Sequence, residues 1–473
     1  MSTEVSKEGK KKKYKVPHTF VIVFFIIVAA VLLTWIIPAG AYKFVTTAGG
    51  RKVVDPTTFS YVASSPVNPL KIPIYIIKAF IKRIDLMLVI LFAGASFHMI
   101  TKSGALQTII ALGAKKFSDK LYVFIPALTL LIGLICTTQG VNILIPFAPV
   151  MVMLSMAMGM DSLLGAAIIL LGGAIGFSTG TLNVFTTVVA QTIAELPLYS
   201  GMAYRWVCFA VYYVLTNIVL IRYALKVRKN PELSPMYDLD QKTRQEEGVM
   251  DLSSFGKMTM RKTIPLVLLA VAFGGIVYGS IKLKWGMSET AAMFLTYSVV
   301  AGLISGSGPS EVCKDILEGS KKMLSAAYII GMATSISAIM GDGKITYTVV
   351  HSLAGMMDGL PAILVAPSMV IANTIINVFL TSGSGQAAAV MPIMIPLADV
   401  LGITRQTAVL AFNFGDGFCN YVLPTSTALM GIIGVANIPY DRWMKFMWKI
   451  FLLWLVVGCV LVSVAQFIHY GPM

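Results

Sequence analysis

Late in the chain the sequence reads Phe412-Asn-Phe-Gly-Asp-Gly-Phe-Cys-Asn-Tyr-Val-Leu-Pro-Thr-Ser426, in which a stretch carrying Asp416 leads into a polar interruption, Cys419–Ser426, of an apolar run. A second interruption, Thr381-Ser-Gly-Ser-Gly-Gln386, precedes it. Each has an earlier counterpart: Thr137-Thr-Gln-Gly-Val-Asn142 for the hairpin-like stretch and Gly176-Phe-Ser-Thr-Gly-Thr-Leu-Asn183 for the later one. A shift of 243 residues superposes Thr138 on Thr381, Gly140 on Gly383, Pro149 on Pro392, Gly159 on Gly402 and Gly172 on Gly415. Pro197 meets Pro439 at nearly the same shift, and Lys82-Arg83 meets Lys321-Lys322, with Gly104 on Gly343, at a shift of 239. So regular a coincidence of glycines and prolines reads as an internal duplication.

The composition sets the environment. Of 473 residues 57% are apolar and 12% charged, with mean hydropathy +0.80. Soluble chains hold roughly 45–50% apolar and about 25% charged residues. The polar surface is too small for a water-soluble globule, which makes this an integral membrane protein. Aromatic content and 40 dispersed glycines exclude disorder, collagen and coiled coil. The clear spans lie near 19–38, 86–101, 205–225, 263–281, 289–305, 323–340 and 447–468, each close to the ~20 residues that cross a bilayer. Thr19–Pro38 is too long for a signal core, so the basic start and Ala39-Gly-Ala41 read as an uncleaved first helix begun by Pro17. The segment 40–68 reads as a hairpin-like loop around Gly49-Gly50.

The formal charge of +15 is clustered beside spans, at Lys10–Lys13 and around the polar loop 226–261. That is the positive-inside signal, and it argues against nucleic acid as a partner. The five cysteines are scattered and show no disulfide or metal spacing. Tracing the spans from a cytoplasmic tail makes span 289–305 enter from outside, while its counterpart 19–38 leaves from inside. The copies are therefore inverted, a pattern of secondary transporters. With that tracing 25 of the 37 Lys and Arg fall inside and 12 outside. The expected organisation is a basic tail 1–17, a first repeat 18–204, connecting helices 205–285, a second repeat 286–446 and a final helix 447–473. The repeats carry surface arms at 66–84 and 309–322, and a hairpin plus broken helix at 120–196 and 360–437. The fold class is an all-α polytopic membrane protein, an inverted repeat with two re-entrant hairpins and two broken helices.

Unwound backbone at membrane depth is tolerated only inside protein or along a wet cavity. Hairpin tips and helix breaks offer free N–H groups for a carboxylate, and carbonyls and hydroxyls for a sodium ion. The candidate binding residues are Thr137, Thr138, Gln139, Gly140 and Asn142 with Thr381, Ser382, Gly383, Ser384, Gly385 and Gln386 at the tips. Ser178, Thr179 and Asn183, with Asn420, Thr425 and Ser426, come from the breaks. Asp416 is the sharpest candidate, because an intramembrane carboxylate normally serves a pathway, a proton or a counter-charge. Asp161, Glu195, Asp399 and Arg405 fall at span ends and read as interfacial. His98 lies alone in its span and reads as a packed or pore-facing neutral imidazole rather than a proton relay.

Five stretches resemble one family: Pro17-His-Thr-Phe with Trp35-Ile-Ile-Pro-Ala-Gly40, Arg51-Lys-Val-Val-Asp-Pro56, Ser382-Gly-Ser-Gly-Gln-Ala-Ala388, Thr404-Arg-Gln-Thr-Ala-Val-Leu-Ala-Phe412 and Gly415-Asp-Gly-Phe418 with Pro424-Thr-Ser426. They look like the YfcC family, grouped with anaerobic C4-dicarboxylate carriers of the DcuC type and arginine/ornithine antiporters of the ArcD type. The resemblance implies a prokaryotic inner-membrane carrier, a homodimer with a scaffold and an elevator-like transport domain holding substrate and coupling ion. One departure stands out. Many members carry an acidic pair after the first-tip glycines, whereas the stretch from Thr137 to Leu144 has no carboxylate.

The reading is a secondary active transporter of a small carboxylate-bearing metabolite, amino acids first. The alternatives are C4-dicarboxylates, arginine/ornithine exchange and, as a different class, a passive channel. No catalytic constellation appears, so an enzyme is not expected. No cofactor is expected either; the coupling ion is sodium or a proton. Other partners are the bilayer and a second copy, with the N-terminus cytoplasmic and the C-terminus outside.

Overall fold

Backbone groups in hydrocarbon must be satisfied within their own segment, and the apolar runs accordingly form helices. The structure, a computed structural model, describes residues 19–46, 52–105, 108, 120–183, 185–246, 260–283, 285–357 and 360–471. Pro17, Lys10–Lys13 and Gly49-Gly50 lie outside the described residues. The first half contains α1 (Thr19–Ile36), α2 (Ile72–Lys82), α3 (Ile84–Lys102), α4 (Leu121–Cys136), α5 (Ala148–Ala157), α6 (Ser162–Thr179), α7 (Thr187–Ile193) and α8 (Met202–Lys229). After the loop helix α9 (Tyr237–Glu246) come α10 (Met260–Lys282), α11 (Met287–Ile304), α12 (Pro309–Asp342) and α13 (Thr346–Met357). The chain then runs through α14 (Ala362–Phe379), α15 (Gly383–Val400), α16 (Arg405–Cys419), α17 (Thr427–Val435) and α18 (Tyr440–Phe467). Six described helices, α3, α6, α8, α11, α12 and α18, are long and apolar enough to cross a membrane.

The duplication is visible in the packing. In the first copy α4 and α5 pack on α6, and α4 and α6 pack on α8; in the second, α14 and α15 pack on α16, and α14 and α16 on α18. The repeated glycines serve equivalent contacts. A Cβ on Gly172 would lie 3.1 Å from the Thr129 carbonyl oxygen, and one on Gly415 would lie 2.7 Å from that of Val370. Only glycine permits these approaches between α4 and α6 and between α14 and α16. Across the copies, the 3-10 helix Val141–Phe147 packs on α17 while α15 packs on α7. Each hairpin thus meets the broken helix of the other copy.

The inversion follows from α6 and α16. Gly417 lies beside Ser178, where a Cβ would come 2.6 Å from the serine Cα, and Gly180 lies beside Asn413, 2.9 Å from its Cγ. Moving forward along one helix means moving backward along the other, so the two run antiparallel with their C-terminal ends overlapping. α6 is buried on every side, as an all-round hydrophobic helix must be.

Around this core stand α1, α2, α3, α10, α11 and α12, with α12 packed on α1, α2 and α3 and α11 on α3 and α10. One expectation fails here. The segment 309–322 is not a separate surface arm but the start of α12, which runs unbroken to Asp342. Nothing interrupts its helical backbone, and Gly319 marks the crossing with α3, where a Cβ would lie 2.7 Å from the Gly94 carbonyl oxygen. The corresponding stretch of the first copy does hold a separate helix, α2. α2 ends at Arg83, whose φ of −118° and ψ of 17° separate it from α3. The loop after α1 forms two antiparallel strand pairs, β1 (Gly40–Ala41) with β4 (Ser60–Tyr61) and β2 (Phe44–Thr46) with β3 (Lys52–Val54), the latter closing the expected hairpin.

Candidate functional site

Local sequence sets each edge of the site. Asp161 caps α6, accepting from the Leu164 amide at 2.9 Å, and Gly180 ends that helix at φ 65°. The break therefore starts later than expected, and Ser178 and Thr179 remain helical. Thr404 caps α16, which runs to Cys419, and Ser426 caps α17 through the Leu429 amide. Ser382 caps α15, so Gly385 and Gln386 occupy its first turn rather than the tip.

Both tips and both breaks open on one cavity of about 340 Å3. Gly140 and Asn142 reach it from the first tip; Thr381, Ser382, Gly383 and Ser384 reach it from the second. Asn420, Thr425 and Ser426 line it from the second break, and Phe185 and Thr186 from the first. The first amides of α15 and α17 lie at its wall, without intrahelical acceptors and at the positive ends of their helices.

Other candidates serve the backbone. Thr137 and Thr138 donate to the carbonyls of Leu134 and Ile135 at 2.7 and 3.2 Å, and Thr179 donates to Ile175 at 2.8 Å. Asn183 accepts from the amides of Phe185 and Thr186 and so shapes the break. Gln139 does not line the cavity.

Asp416 is 1% exposed, one layer behind the second tip. A Cβ on Gly383 would lie 3.0 Å from its Oδ2 and 2.6 Å from Thr186 Cγ2. Among the described residues neither carboxylate oxygen has a hydrogen-bond partner. Its backbone carbonyl, by contrast, accepts from the Asn377 and Asn420 side-chain amides at 2.6 and 2.7 Å. The side-chain oxygens of Asn377, Gln386, Asn413, Thr186, Thr425 and Ser178 are likewise buried without partners. Uncharged oxygens and a carboxylate are the ligand types a hard cation such as sodium takes, and a lone buried carboxylate is equally a proton site. The residues present fit either ion.

Sequence reasoning missed Arg83, Thr186, Asn373, Asn377 and Asn413. Asn373 and Asn377 carried a legible signal, since spacing of four in an apolar helix puts two amides on one face. Gln386 donates to the Asn373 carbonyl at 3.0 Å. Arg83, which lines the cavity, carried none, because the other lining residues are remote from it in sequence. His98 is not alone as expected: its Nε2 lies 3.7 Å from Asp315 and 3.5 Å from Glu318 of α12, close to the ion pair of Lys102 with Asp315 at 2.7 Å. Asp161, at the start of α6, is buried beneath the loop 230–246, where it accepts from Ser234 Oγ at 2.6 Å and from the Tyr223 hydroxyl. A separate cavity of about 320 Å3 beside it, between Met160 and Arg244, contains no tip or break residue.

The chain is 28% identical to YfcC of Escherichia coli (strain K12), whose name proposes a basic amino acid antiporter, over 98% of this chain and 99% of that one. A Haemophilus influenzae protein is 25% identical over 96% of this chain and 98% of its own. Among solved structures, the YdaH transporter of Alcanivorax borkumensis superposes with a TM-score of 0.41 at 16% identity, covering 96% of this chain and all of that one, too weak a likeness to argue from. The family described as C4-dicarboxylate anaerobic carrier, DcuC, matches residues 16–467. The chain belongs to that family and is a multi-pass secondary transporter of the DcuC/YfcC type.

Proposed function

We propose that the protein is an ion-coupled carrier of a small carboxylate-bearing metabolite, an amino acid first, working by elevator-like alternating access. One observation carries this reading. Two tips and two breaks, related by the inverted repeat, converge on a single cavity with the unpaired Asp416 carboxylate directly behind it. The positive ends of α15 and α17 favour an anionic group in the cavity, and Asp416 favours a cation beside it. Sodium or a proton bound there would neutralise the carboxylate, so that the loaded body crosses the membrane without an uncompensated charge. In this reading α4–α8 and α14–α18 move together against α1–α3 and α10–α12, in a homodimer of the inner membrane.

A C4-dicarboxylate is the second reading, favoured by the family to which the chain belongs. Basic amino acid exchange is weaker here because, among the described residues, no carboxylate side chain lines the cavity. The test is uptake into liposomes of labelled L-alanine, succinate and L-arginine, with sodium and pH gradients imposed separately. Saturable uptake with counterflow is expected for an acid of the first two kinds. Flux that is linear in concentration and shows no counterflow would mean a channel.

A further inference from the structure

We infer that Arg83 is the anchor for the solute's carboxylate. The inference rests on the carrier reading above and gives it a named residue. Among the described residues every other side chain lining the cavity is uncharged, so of these Arg83 is the one charged group that a solute there meets directly. The side chain is exposed, and no described residue forms an ion pair with it. Three other cations near helix ends are paired: Lys102 with Asp315, Arg405 with Asp399, Arg442 with Asp238. An unpaired guanidinium at the wall of a polar cavity presents a planar fork of donors that matches a carboxylate with two parallel hydrogen bonds.

Its position adds to this. Arg83 sits at the junction of α2 and α3, both packed on α12, whereas the tips and breaks come from the other helices. The carboxylate would thus lie between a guanidinium on one side and the amides that start α15 and α17 on the other, with no acidic side chain among the described lining residues to oppose them. The pseudo-symmetry is broken at this point, because Lys322, the sequence counterpart of Arg83, does not line the cavity. The site has one cationic anchor, set apart from the unpaired acid at Asp416.

The test measures thermal stabilisation of the purified full chain by succinate, L-alanine and L-glutamate, each against its amide. Wild type should respond to at least one acid and not to the matching amide. Arg83→Gln should need about 10–100-fold more of that acid, the range expected when a hydrogen bond to a charged group is lost. Arg83→Lys, which keeps the charge without the fork, should fall between and serves in its place if the glutamine variant does not fold. Sodium or pH dependence of residual uptake should persist in both variants, since Asp416 is untouched. An unchanged concentration dependence in Arg83→Gln would overturn the assignment and leave the carrier reading standing. A wild type indifferent to every acid, or equally stabilised by acids and amides, would overturn both.

Discussion

The Asp416 carboxylate lies against the α-carbon of Gly383, so close that a single added methyl there would sit 3.0 Å from Oδ2. A residue at the second hairpin tip and a residue at the end of a buried helix, 33 positions apart, therefore share one small volume. Gly383 lines the cavity, whereas Asp416 is not among its lining residues.

Gly383→Val should abolish uptake while the protein still assembles. Its Cβ would meet Thr186 Cγ2 at 2.6 Å as well as Asp416, so the tip must move away from the first break. Gly385→Ala should be far milder, because a Cβ there meets only the Ser382 side chain, at 3.2 Å. Close approach, not an unusual backbone angle, makes Gly383 special. Equal uptake by the two variants would contradict this placement.

Asp416→Asn should remove gradient dependence from uptake with little change in expression. The amide keeps the shape and leaves the backbone carbonyl bonded to Asn377 and Asn420. A mid-membrane charge is unfavourable by about 2.5–3.5 kcal/mol or more, so neutralising it should leave thermal stability equal or higher. Uptake assays with sodium and pH gradients, beside a melting curve, check both halves.

Asp161→Ala should lower stability by about 2–4 kcal/mol, combining a lost helix cap with a buried hydroxyl left unpaired. The carboxylate caps α6 and accepts from Ser234 and Tyr223, tying the loop to the core. Melting of the purified variant reads the loss, and unaltered coupling in whatever folds separates this role from that of Asp416.

Asp240 gives a pH dependence outside the membrane. Burial holds its carboxyl above the ordinary value of 3.8, with the hydrogen bond from Ser162 acting in the opposite sense. The folded protein thus binds this proton more tightly than the unfolded chain, and the group's contribution to stability falls as pH rises above 3.8. Asp240→Asn, which still accepts from the Ser162 amide, should melt at or above wild type at pH 7. That advantage should shrink as the pH is lowered towards 4. A gap that widens on acidification would show the sign to be wrong.

Sidedness can be read by cysteine labelling, in a Cys313→Ser background because Cys313 is exposed. Ser234 is buried on Asp161, so the exposed Glu232 is the better probe for the central loop. Glu232→Cys and Gly471→Cys should label from opposite faces, with the loop cytoplasmic. Labelling of both from one side would remove a crossing and, with it, the assignment of the ends.

The hairpins and breaks were legible because each copy repeats the same Gly, Pro and hydroxyl residues, and polar stops inside apolar runs have few explanations in a bilayer. Their limits were less legible. Thr179 and Gly385 turned out helical because capping by Gly180 and Ser382 decides where a helix ends, and that depends on backbone angles. The arm at 309–322 was misread because its amphipathic pattern is equally that of a long helix packed along one face.

By itself the sequence determined the environment, the duplication and its inversion, and it singled out Asp416 as a carboxylate within an apolar run. Composition, charge clustering and residue spacing are properties of the chain before it folds. The tertiary structure alone decided that Gly383 touches Asp416, that Arg83 enters the cavity, and that Asn183 serves backbone amides rather than a ligand. Those facts depend on how two antiparallel copies interdigitate, each hairpin packing on the other copy's broken helix. Contacts between residues hundreds of positions apart leave no periodic trace along a single chain.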